Sequence, residues 1–124
     1  MARVSHKRVK QLLNEKRSKI TDKQFFTSRI LAGHFEDVAT AQSKRYHYSR
    51  RVRVNLYWQP HDRSVASTDN AAIAINAGHT SITGIRGRME RYKMVSGFFS
   101  HELGHVLYTD FLAKQTYMNY LSAS

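Results

Sequence analysis

Ser100-His101-Glu102-Leu103-Gly104-His105-Val106 is the stretch from which the rest of the chain has to be read. It is an HExxH motif. On an α-helix, residues four apart stand about 40° apart around the axis, so the imidazoles of His101 and His105 share a face and can converge on one ion. Catalytic zinc sites take three protein ligands and keep a fourth position open, so the pair supplies two of the three. Glu102 is rotated about 100° from His101 and flanks that position, where a carboxylate can polarise a water. Between residues 94 and 109 the only ionisable groups besides Tyr108 are His101, Glu102 and His105. A carboxylate in so apolar a run is costly to bury unless something uses or neutralises it. The plainer alternative is a structural helix in which Glu102 meets a basic partner and neighbouring groups satisfy the histidines.

Upstream of the motif, Met89, Tyr92, Val95 and Phe99 recur at helical spacing among Arg88, Glu90, Arg91 and Lys93, which predicts a helix from about residue 86 through the motif to about Tyr108. Gly97 and Gly104 mark places where another element or the metal ligands approach closely. Phe111, Leu112, Tyr117, Met118 and Leu121 then form a carboxyl-terminal helix or a continuation of the same one.

The middle of the chain has a different period. In residues 50–58, Val52, Val54, Leu56 and Trp58 alternate with Arg51, Arg53, Asn55 and Tyr57, the pattern of a half-buried strand. Residues 59–63 and 67–70 read as turns, and residues 71–77, with Ile73 and Ile75 in step, as a strand that closes a hairpin or meander with the first. A small antiparallel sheet follows.

The amino-terminal part reads as helical. Val9, Leu12 and Leu13 lie among Lys7, Arg8, Lys10, Lys16 and Arg17 in a short basic amphipathic helix over residues 4–17. Thr21 is an N-cap with Asp22 in the first turn, and Phe25, Phe26, Ile30 and Leu31 continue the helical spacing toward Phe35. His34 reads as a cap or surface group near the helix end, and residues 39–43 as a polar connection.

At 124 residues this is one α+β domain, with helices over 1–45, the sheet over 50–77 and the motif helix and carboxyl-terminal helix over 86–121. There is no cysteine, so a disulfide framework and a thiolate metal site are both excluded. The first residues lack an apolar segment behind their basic groups, and no stretch is long and apolar enough to span a bilayer, which leads us to expect a cytoplasmic protein. The formal charge is +11, from 20 Lys and Arg against 9 Asp and Glu. Such a field attracts polyanions, and nucleic acid is a candidate partner through the basic amino-terminal helix and the Arg51/Arg53 strand face. On this alternative the chain is a basic nucleic-acid-binding or interaction domain of a phage or mobile element, with a structural or degenerate metal site.

From residue 54 to residue 111 the chain resembles zincin-type metallopeptidases, in which a helix bearing HExxH packs under a sheet whose edge strand helps bind peptide. More narrowly, Trp58-Gln59-Pro60, Ser67-Thr68-Asp69-Asn70, Ile75-Asn76-Ala77 and the run from Gly97-Phe98-Phe99 through the motif to Thr109-Asp110-Phe111 look like the amino-terminal peptidase-like region of large bacterial and phage proteins that carry a von Willebrand factor A-type domain. The resemblance implies a zincin-like fold with the motif on a long buried helix. It also implies a zinc-dependent hydrolase acting on a peptide or protein substrate, with Zn²⁺ on His101 and His105 and Glu102 as general base.

One departure stands out. Zincins take a third ligand, commonly a downstream His, Asp or Glu, and after Asp110 the chain has none. Asp110 lies five residues past His105, about 140° away from it on an unbroken helix, and ligates only if the chain turns near Tyr108 or Thr109. Its other reading is the cap of a helix beginning at Phe111. Asp69, His79 and His61 from the loops, or a residue of a partner or downstream domain, are the remaining candidates, and loss of the third ligand is the other alternative.

Overall fold

A computed structural model describes residues 2–14, 19–69 and 71–123. The order is α1 (Ala2–Leu12), α2 (Asp22–Phe26), α3 (Arg29–Arg45), β1 (Arg53–Tyr57), β2 (Ala66–Asp69), β3 (Ala72–Asn76), α4 (Thr80–Thr83) and α5 (Arg88–Ala123). The fold is α+β, a three-stranded sheet with helices against one of its faces.

The sheet is mixed, in the order β1-β3-β2, where an antiparallel one was expected. β1 runs parallel to β3 and pairs Val54 with Ile73 and Leu56 with Ile75, while β2 runs antiparallel to β3 and pairs Thr68 with Ile73. Alternation is the same in either direction, so it could not reveal the parallel pairing. Residues 67–69, expected to turn, are most of β2. Their polar character is that of an edge strand whose Ser67 and Asp69 face solvent.

Asn76, fully buried at the end of β3, fixes this arrangement. Its Oδ1 accepts from Gln59 N (2.8 Å) and Gly78 N (3.1 Å), and its Nδ2 donates to Gln59 O (2.8 Å) and Ser64 O (3.2 Å). The amide thus ties both ends of the 59–64 loop, which carries the chain from β1 toward β2, to the last residue of the central strand. Gly78 lies so close to Trp58 that a Cβ would come within 2.8 Å of the indole.

Val54, Leu56, Ile73 and Ile75 project from one face of the sheet into a core with Phe25, Phe26, Leu31, Phe35, Ile82, Val95 and Phe99. The Phe35 ring stacks on Phe99 with centroids 4.7 Å apart. Arg53, Asn55 and Ala72 line the other, exposed face.

The helical region from Thr21 was expected to run unbroken to Phe35 and is two helices. Thr21 caps α2 with a capping box to Gln24, and the Ser28 hydroxyl accepts from Leu31 N (3.2 Å) to begin α3. Residues 39–43, read as a connection, belong to α3, with Ala39 and Ser43 buried. The basic first helix ends at Leu12 with Val9 and Leu12 buried, and Lys16 and Arg17 lie outside the described residues.

α5 is one helix of 36 residues, about 54 Å long. The long motif helix is therefore present, but it is buried along one stripe only, through Arg88, Val95, Phe99, Leu103 and Val106. From residue 111 to residue 122 its side chains are exposed. No helix among the described residues is long and apolar enough to cross a membrane.

Candidate metal centre

The start of α5 sets where the motif stands. Arg88, 3 % exposed, donates from Nε to Asp22 Oδ1 (2.7 Å) and from its terminal nitrogens to Leu12 O (2.7 Å) and Ile20 O (2.8 Å), with its guanidinium 5.3 Å from the Phe25 ring centre. Arg91 donates to the other oxygen of the same carboxylate (2.7 Å) and to Ile85 O and Thr83 O. One aspartate and two arginines thereby join α5 to α2 and to the segments before both helices.

Further along α5, Val95, Phe99, Leu103 and Val106 face the core and His101 and His105 face away from it, both exposed. Their Nε2 atoms are 3.0 Å apart and their rings stand at 87°. Two nitrogens bound at about 2.05 Å to one tetrahedral ion are separated by about 3.3 Å, so the pair is shaped for chelation with little movement. As neutral rings, one can donate its N–H to the other across the same gap.

Glu102 is half-buried and turned toward the sheet, where its Oε2 accepts a hydrogen bond from the Thr68 hydroxyl of β2. The sheet register explains the contact. Thr68 pairs with Ile73, so it projects from the inner face of the sheet, over α5, while Asp69 points the other way. A groove of about 510 Å³ beside α5 is bounded by Tyr48, Arg50, Thr68, His105, Thr109 and Asp110. A more apolar groove of about 620 Å³ lies on the other flank of α5, lined by Val38, Tyr46, Leu103 and Leu107, away from the histidines.

The candidates for a third ligand are dispersed. α5 continues unbroken through Tyr108 and Thr109, so the turn that Asp110 needs is not made, and its carboxylate accepts from Lys114 Nζ one turn on (2.9 Å). Nor does Asp110 cap a new helix at Phe111, which is simply the next residue of α5. His79 caps α4: Nδ1 accepts from Ser81 N (3.1 Å), and Nε2 lies 3.1 Å from Arg63 O. His61 is in the exposed loop after β1. Among the described residues, no group of three or more His, Cys, Asp or Glu could hold a metal ion. The donor set fits two ligand positions and a flanking carboxylate.

Gly97 and Gly104 are exposed and a Cβ at either would meet nothing within 4 Å, so among the described residues no other element approaches closely at either. His34, read as a cap or surface group, is buried, with its Nε2 3.3 Å from the Tyr92 hydroxyl of α5 and its ring 5.5 Å from that of His6 in α1. Burial, and secondarily the nearby His6, hold its pKa below the usual histidine value against an opposing pull from Asp37. Thr68 had been missed because its polar neighbours read as a turn; its one sequence signal was its place two residues along the alternation from Ala66.

The chain matches no family model, no curated protein and no solved structure in the three comparisons made.

Proposed function

We propose that the chain is a zinc-dependent peptidase of zincin type, with His101 and His105 as metal ligands and Glu102 as general base. The observation that carries the reading is the 3.0 Å approach of the two Nε2 atoms on the exposed face of α5, with the adjoining carboxylate oriented by Thr68. A zinc ion held there supplies a Lewis acid that polarises the scissile carbonyl and makes a water more acidic. Glu102 takes the proton from the attacking water and returns it to the leaving amine. The hydrogen bond from Thr68 fixes the rotation of the carboxylate for both transfers.

The sheet also supports the reading. β2 is an edge strand that packs on the motif helix, and an extended peptide can add to its outer edge by backbone hydrogen bonds. Because the described residues provide two ligands, the third donor comes from outside them.

The test is Glu102→Gln, assayed for zinc by elemental analysis and for hydrolysis of an unstructured protein such as casein. Zinc content should be unchanged and turnover reduced at least about 100-fold. Unchanged turnover would remove Glu102 from the mechanism, and a wild-type chain that takes up no zinc would remove the centre.

A further inference from the structure

The outward face of α5 carries more than the histidine pair. Met94, Phe98, His101, His105, Tyr108 and Leu112 follow one another at spacings of four, three, four, three and four, the seam of a helix that packs against another helix. Met94, His101, His105, Tyr108 and Leu112 are exposed and Phe98 is half-buried. The opposite face is already buried in the core, so α5 has two apolar faces, whereas a surface helix ordinarily has one.

The seam is symmetric about Leu103. Residues 101 and 105, 98 and 108, and 94 and 112 are equidistant from it. If a two-fold axis passes there and brings in an antiparallel copy of α5, His101 meets His105 of the second copy, Phe98 meets Tyr108 and Met94 meets Leu112. The two halves of one helix therefore complement each other.

We infer that His101 and His105 join the same two residues of a second copy in a four-histidine zinc site, which couples two chains through antiparallel α5 helices. Each copy contributes two nitrogens, and four complete the tetrahedron that zinc prefers in closed sites. The inference needs metal binding by the histidine pair but not hydrolysis. Four imidazoles leave no position for water, so the dimer is a resting form of the centre.

Charge directs the choice of partner. The chain carries +11, which sets most faces of two copies against each other. The outer stripe has no Lys or Arg from residue 94 to residue 112, and Glu102 is turned aside to Thr68. Gly97 and Gly104, seven apart, border the seam; an exposed helical glycine costs about 1 kcal/mol relative to alanine, which is offset where a second helix comes close.

The area explains why zinc is needed. Met94, Tyr108 and Leu112 are 41, 59 and 44 % exposed. With the imidazoles, two copies together bury on the order of 1,000 Å², at the lower limit for a specific interface. The seam alone is therefore too small to hold the pair at micromolar concentration.

The experiment is sedimentation velocity on the untagged chain at about 20 µM (above a micromolar dissociation constant), first with EDTA and then with added zinc chloride, alongside elemental analysis. The expected result is a monomer with EDTA and a dimer with one zinc per two chains. His101→Ala should remain monomeric with zinc, with circular dichroism confirming the fold. Leu112→Lys, which leaves every ligand in place, should raise the zinc concentration for half-dimerisation at least tenfold. One zinc per chain on a monomer would overturn the dimer and leave the peptidase reading standing, and no zinc at all would overturn both. A dimer that forms with EDTA, or one that His101→Ala leaves intact, would overturn the four-histidine site.

Discussion

Asp22→Asn tests whether the polar anchor beneath α5 holds the helix. Asp22 receives Arg88 on one oxygen and Arg91 on the other, both at 2.7 Å. An asparagine keeps the shape but has one acceptor, so whichever way the amide turns, one guanidinium faces an NH2 group. The Arg88 side chain is 4 % exposed and keeps its charge in the core. Removing one partner of a buried pair costs 3–5 kcal/mol, and because the carboxylate itself is 20 % exposed, we take the low end, about 3 kcal/mol. At about 1.5 kcal/mol per molar urea, the unfolding midpoint should fall by about 2 M. Asp22 also begins α2, where losing a negative charge costs up to about 1 kcal/mol by itself. A double-mutant cycle with Arg91→Ala separates the two effects, since the helix-dipole effect does not depend on Arg91; the cycle should return a coupling near 1 kcal/mol. A total loss below 1 kcal/mol with no coupling would refute the anchor and leave apolar packing alone to hold the start of α5.

Asn76→Ala removes four hydrogen bonds at a fully buried position and should destabilise the fold by about 3–4 kcal/mol in urea unfolding, with protease cleavage appearing first in the 59–64 loop. A loss under 1 kcal/mol would mean that water replaces the amide there. His34 has a folded-state pKa below the usual 6.5, so as pH falls through about 6.5 the unfolded chain takes up a proton that the folded chain resists, and stability declines until the folded-state value is passed. His34→Asn should flatten this part of the pH–stability curve, and an unchanged slope would place the pH dependence elsewhere. On the proposed peptidase reading, Thr68→Val leaves Glu102 without its orienting donor and should lower kcat about 10-fold with zinc content unchanged. Equal kcat in wild type and variant would show that the carboxylate needs no such support.

What could be read from the sequence was whatever the local period encodes. The alternation of Val52, Val54 and Leu56 gave β1 and its buried face, Thr21 with Asp22 gave a helix start, and the apolar run around the motif gave α5. The contacts that organise these elements cross long sequence distances between residues whose local setting is ordinary. Arg88 meets Asp22 across 66 positions, Glu102 meets Thr68 across 34, and Asn76 meets Gln59 across 17. Nothing next to Arg88 marks it as buried, since a charged residue at the start of an amphipathic helix is normally solvated. Strand direction was hidden for a similar reason: the parallel pairing of β1 and β3 depends on how the 59–64 loop travels, and that is fixed by the Asn76 amide.

The same distinction bears on the third ligand. His101 and His105 look outward from a helix whose inward face is filled, and the sheet and α3 both lie on the inward side. Glu102, rotated about 100° from His101, is directed to the sheet and finds Thr68 there. A donor placed by the sheet or α3 therefore arrives on the side of Glu102 or of the core. Asp110 illustrates the constraint. It falls about 140° from His105, near the buried stripe, and reaching the outer face would require breaking α5, with the loss of backbone hydrogen bonds in the middle of a helix that is continuous from Arg88 to Ala123. On the proposed zinc site, an i, i+4 histidine pair on the outer face of α5 would be completed by what approaches from solvent. A second copy, a partner chain and a substrate each approach from that side, and the ratio of zinc to chains, one to two or one to one, separates the first from the other two.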